Sequence, residues 1–101
     1  MPDEPGRHLS EALGGQSAEP LSHDERVEHE RVRNLIQGVL SCYNTLVNQE
    51  TDADRKNVLE AERALHTEAF RRRVAMSPAE RAEVLHTYPD LLNRLQADLG
   101  R

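Results

Sequence analysis

Residues Val32 to Val47 read VRNLIQGVLSCYNTLV. Their apolar members Val32, Leu35, Ile36, Val39, Leu40, Tyr43, Leu46 and Val47 recur three and four positions apart, which lays them on one broad side of an α-helix. Arg33, Asn34, Gln37, Ser41 and Asn44 take the other side. A helix divided in this way is marginal alone, so its apolar side has to be covered by the rest of the chain or by a second copy.

The surrounding composition fits that reading. Of 101 residues, 37% are hydrophobic, 31% charged and 3% aromatic, with no Trp and one Phe. Sheets favour β-branched and aromatic residues, whereas this alphabet of Ala, Leu, Glu and Arg is that of helical bundles and coiled coils. At this length there is room for one modest core. The expected fold is all-α: an antiparallel three-helix unit with a kinked or split third helix, assembling into a helical-bundle oligomer.

Helix boundaries are written in the caps. Ser22-His23-Asp24-Glu25 has the serine and glutamate of a capping box, with Asp24 in the positive first turn. The first helix is expected over about 23–49. Its seam Glu25, His29, Val32, Ile36, Val39, Tyr43 and Leu46 alternates spacings of four and three, the coiled-coil pattern. Gly38 sits mid-helix and suits either a close helix approach or simple tolerance.

Thr51-Asp52-Ala53-Asp54 opens a second helix, about 52–75, with Thr51 expected as its cap. The intervening turn is short enough to make an antiparallel hairpin. This helix shows a main apolar row of Val58, Ala61, Leu65, Ala69 and Met76 beside a second row of Leu59, Phe70 and Val74. Two thin rows predict contact with two neighbours. Ser77-Pro78-Ala79-Glu80 combines a serine cap, proline at the first helical position and a box-completing glutamate, starting a third helix over about 78–99. Pro89 falls inside its apolar stripe, so the helix is expected to kink there or divide in two.

Residues 1–21 are read as an acidic tail and 22–101 as the helical domain. Prolines, glycines and small or acidic residues dominate the tail, a composition that cannot offset the entropy of ordering it, so disorder is expected.

Composition also narrows function. The net charge is −5, with Lys56 the only lysine, so the chain lacks the overall field that draws proteins to phosphate backbones or anionic lipid. The lone cysteine, Cys42, permits no internal disulfide. No apolar run resembles a signal peptide or reaches the roughly 20 residues of a membrane span, so a cytoplasmic location and no membrane partner are expected.

Three Glu/His pairs bear on metal: Glu25 with His29, Glu62 with His66, and Glu83 with His86. Only the last has the i,i+3 spacing used in two-metal bundles. Folding the hairpin at residue 50 sets His29 opposite Arg71 and His66 opposite Asn34 or Leu35. Folding the third helix back sets His66 opposite Tyr88 and within about a turn of His86. A site from Glu62, His66, Glu83 and His86 is therefore conceivable, but such pairs arise readily on charged helices, and no metal or cofactor is expected. Cys42 lies among apolar residues, where a thiol is a buried, inert hydrophobe. There is no phosphate loop or nucleophile elbow, and no enzyme is expected.

Arg71, Arg72 and Arg73 form the one basic cluster; pairing with Glu68 and, across the hairpin, with Glu25, Glu28 and Glu30 is favoured over nucleic-acid contact. The functional expectation is thus a small interaction or adaptor protein, acting through self-association and a helical docking face. The competing class is a helical nucleic-acid-associated regulator or antitoxin-like protein; a metal-binding bundle ranks third. The partner is a protein or a second copy, and the expected interface is Val32, Leu35, Ile36, Val39, Leu40, Tyr43, Leu46 and Val47.

Overall fold

The computed structural model describes residues 21–100, and these form three α-helices with no strand among them. Helix α1 is His23–Gln49 and α2 is Ala53–Arg72, prolonged by a 3-10 turn at Arg73–Ala75; α3 is Pro78–Leu99. The expected disorder of the tail concerns residues 1–20, which lie outside the described part. Leu21, the first described residue, is exposed.

Both capping boxes form. The Ser22 hydroxyl accepts from the Glu25 amide at 3.1 Å while the Ser22 amide donates to the Glu25 carboxylate at 3.0 Å. Ser77 and Glu80 repeat the exchange at 3.1 and 2.8 Å, and Pro78 needs no partner at the first helical position. The cap of α2 is Asp52 rather than Thr51: its carboxylate accepts from the Arg55 amide at 2.8 Å. An ionised acceptor at the positive helix end outbids a neutral hydroxyl. Pro89 lies within one continuous α3, so the helix is not divided.

Helix α1 is the centre of the unit, packing along both α2 and α3. Contacts give the directions. Tyr43 meets Glu62 and Asn44 meets Arg63 across an antiparallel hairpin, whereas Glu28 meets Arg81 and Gly38 lies beside Leu92 on the parallel α1–α3 side. The core has two centres. Val32, Ile36, Met76 and Val84 close one end, and Val39, Cys42, Tyr43, Val47, Leu59 and Leu95 fill the other. Val32, Ile36 and Val39 are essentially sealed from solvent. At Gly38, a Cβ would sit 3.4 Å from both terminal methyls of Leu92, so the glycine does mark the closest approach of α1 and α3.

The sealed end is tied by Arg81, a buried charge. Its Nε donates to Glu28 on α1 at 2.8 Å and its Nη1 to the Met76 carbonyl at 2.8 Å, satisfying the guanidinium from both sides.

Helix α2 departs from expectation. Of its apolar residues only Leu59 is buried, with Ala69 and Phe70 half-buried, so the second row faces the core. Val58, Ala61 and Leu65 of the main row are exposed. The rotation follows from what α1 offers: Leu59 and Phe70 find apolar neighbours, and between them His66 stacks on Tyr43. Helices α2 and α3 approach each other little, meeting through a bond between His66 and Tyr88 and an ion pair between Arg72 and Glu80.

Candidate functional site

Four side chains from the three helices converge where the helices come together. Tyr43 is carried by α1, Glu62 and His66 by α2 one turn apart, and Tyr88 by α3. The Tyr43 hydroxyl donates to Glu62 Oε1 at 3.1 Å. The His66 ring lies nearly flat on Tyr43, 5.4 Å between centroids and 20° between planes, and meets Tyr88 edge-on at 5.3 Å. His66 Nδ1 and the Tyr88 hydroxyl share a 2.6 Å hydrogen bond.

The electrostatics keep this cluster neutral apart from Glu62. Burial and the carboxylate beside it push the Tyr43 phenol up to about 12. Burial raises the Tyr88 phenol as well, and it lowers the His66 imidazole, against a smaller opposing pull from Glu62. The imidazole is therefore held uncharged near neutral pH, with one ring nitrogen committed to Tyr88. Such an arrangement orients rings and links three helices; it presents no activated nucleophile. Cys42 is buried, and burial pushes its thiol pKa up, the opposite of what a reactive thiolate needs.

The register predicted His66 opposite Tyr88, and the two are bonded. His66 does not lie opposite Asn34 or Leu35; it stacks on Tyr43. Side chains lean toward the N-terminus of their own helix, so across an antiparallel pair they meet partners displaced from the backbone register. Glu83 and His86 do not join Glu62 and His66: among the described residues no three His, Cys, Asp or Glu side chains are grouped to hold a metal ion.

The arginine cluster pairs internally, though with other partners than expected. Arg71 reaches Glu68 at 3.5 Å and Arg72 pairs with Glu80. Arg73 donates to the Phe70 carbonyl at 2.7 Å and places its guanidinium 3.9 Å from the Phe70 ring centre. Glu28 is taken by Arg81, because α3 rather than the end of α2 runs beside it.

The expected interface on α1 divides. Val32, Ile36, Val39, Tyr43 and Val47 are buried against α2 and α3 of the same chain, while Leu35, Leu40 and Leu46 are half-buried at its edges. Exposed apolar surface lies instead on α2, where Val58 is 52% and Leu65 71% accessible, with exposed Ala61 and Ala64 between them. The sequence held this signal as the main apolar row of α2; only the direction in which it faces was hidden.

Surface depressions are open and shallow. One of about 180 Å³ lies between the helices above Tyr43, bordered by Val58, Glu62, Leu91 and Arg94. Another, of about 430 Å³, is framed by Val27, Leu35 and Leu92 on the α1–α3 side. Among the described residues no helix is long and apolar enough to cross a membrane. Comparison of the chain with protein-family models, with curated proteins and with solved structures returned no match.

Proposed function

We propose that this chain is a small, non-enzymatic interaction or adaptor protein of the cytoplasm, working through self-association and a helical docking face. The observation that carries the reading is the apolar stripe of α2. A helix that buries Leu59 while leaving Val58 and Leu65 in water holds back apolar surface that folding alone has no use for. The shallow, open depressions and the neutral Tyr–His cluster support the same reading, since catalysis needs reactive groups oriented in a concave site. Interface residues on α1 reduce to the edge leucines Leu35, Leu40 and Leu46, which border the core rather than form a free face. The nucleic-acid reading draws no support from Arg71–Arg73, whose guanidinium groups are engaged within the chain.

The test is solution mass together with retention on duplex DNA at low salt. The proposal expects mass above one chain of 11.5 kDa at tens of micromolar, and no retention. Salt-sensitive retention that is lost on replacing Arg71, Arg72 and Arg73 with Gln would replace it with a nucleic-acid role.

A further inference from the structure

We infer that the outer face of α2 is a homodimer interface, in which two copies of the chain pair their α2 helices antiparallel about a two-fold axis near Ala61. The inference rests on the self-association reading above and assigns its surface.

The stripe pointing away from α1 runs Asp54, Val58, Ala61, Leu65, Glu68 and Arg72, alternating spacings of four and three. That is the periodicity by which one helix packs on another. Its middle is apolar and its ends are charged with opposite sign. An antiparallel partner sets Val58 beside Leu65 of the second copy, twice by symmetry, and lets the small Ala61 bring the backbones close at the axis. The same operation sets Asp54 beside Arg72 of the second copy at both ends, and Glu68 beside the Asn57 amide. A parallel partner would instead oppose Asp54 to Asp54 and Arg72 to Arg72. The charge pattern therefore selects both a second copy of this chain and its direction.

Glu62 is the residue that would spoil such an axis, since two copies of it come near one another. Its carboxylate is drawn aside, accepting from the Tyr43 hydroxyl on α1 at 3.1 Å. Arg72 already pairs with Glu80, so Asp54 of the second copy adds to an existing ion pair. The helix offers only 20 residues, and specific interfaces bury about 1,200 to 2,000 Å² in total, so the dimer stands at the small end and depends on concentration over the micromolar range.

Sedimentation equilibrium of the full chain across that range tests the inference. The mass should climb from one chain to two. Leu65→Glu should weaken the dimer at least tenfold, and Val74→Glu, equally exposed but off the stripe, should leave it unchanged. Under mild oxidation Ala61→Cys should cross-link to itself. Asp54→Cys should not, but should cross-link when mixed with Arg72→Cys; the wild-type chain controls for the buried Cys42. A dimer indifferent to Leu65→Glu and lost in Leu35→Glu with Leu40→Glu would overturn this assignment while leaving self-association intact. Self-cross-linking of Asp54→Cys would overturn it in favour of a parallel pair. A mass fixed at one chain would overturn both, and dimerisation only after removal of residues 1–20 would give the face to the chain's own N-terminal segment.

Discussion

Ile36 and Leu65 are both large aliphatic residues on apolar rows of the sequence, yet the structure gives them opposite weights. Ile36 is fully sealed, packed among Val32, Met76 and Val84 where all three helical segments meet. Leu65 is 71% accessible. Truncating Ile36 to Ala loses the transfer free energy of its side chain and leaves a cavity that the rigid α1–α3 contact cannot close, which places the cost at about 3 to 4 kcal/mol. A domain of this size has a total stability on the order of 4 to 12 kcal/mol, so that loss alone brings the chain near its unfolding threshold. Ile36→Val, which removes one methylene, should cost about 1 kcal/mol and gives a measurable point on the same scale. Leu65→Ala should stay within about 0.5 kcal/mol of wild type, because a mostly solvated side chain has little burial to lose. Urea unfolding followed by circular dichroism at low micromolar concentration, where mass action does not stabilise a dimer, reads all three from one unchanged slope. A Leu65→Ala variant as damaged as Ile36→Ala would refute the reasoning, since α2 would then have to turn its main row inward.

Replacing Asp52 with Ala should cost about 1 kcal/mol and Thr51→Ala less than about 0.5, measured by thermal unfolding, because the cap bond to the Arg55 amide belongs to Asp52. Glu28→Gln should cost about 1 to 3 kcal/mol by leaving the buried Arg81 guanidinium with a weaker acceptor, whereas Arg71→Gln, at the exposed pair with Glu68, should be close to neutral. Burial holds the folded His66 below its ordinary value near 6.5, so the unfolded chain takes up the proton first. Stability from the neutral imidazole is then complete above about pH 6.5 and is lost as the pH falls below it; His66→Gln should remove that part of the slope in unfolding experiments between pH 7.5 and 5.5.

Where the sequence speaks through local chemistry, it speaks clearly. Ser22 with Glu25 and Ser77 with Pro78 and Glu80 determine where α1 and α3 begin, because these exchanges involve residues three apart and no distant partner. Long-range placement was legible only where backbone register was enough, as for His66 beside Tyr88. The stack of His66 on Tyr43 depends on how side chains lean, and the pairing of Glu28 with Arg81 depends on α3 lying parallel to α1; neither is written in spacing along one helix. The orientation of α2 was hidden for a different reason. Its two apolar rows are nearly equal in strength, so the choice passed to Tyr43, Asn44 and Phe70, contacts that exist only once the chain has folded. The same ambiguity marks the candidate interface: the row not chosen for the core is the one left in water.

Hydrogen exchange of the wild-type chain at two concentrations, one below and one above the midpoint of association, tests the central claim most directly. The account predicts that raising the concentration adds protection to α2 amides around Val58 to Leu65 and leaves α1 unchanged, since α1 is already covered within the chain. Added protection along Leu35 and Leu40, with α2 unaffected, would contradict it.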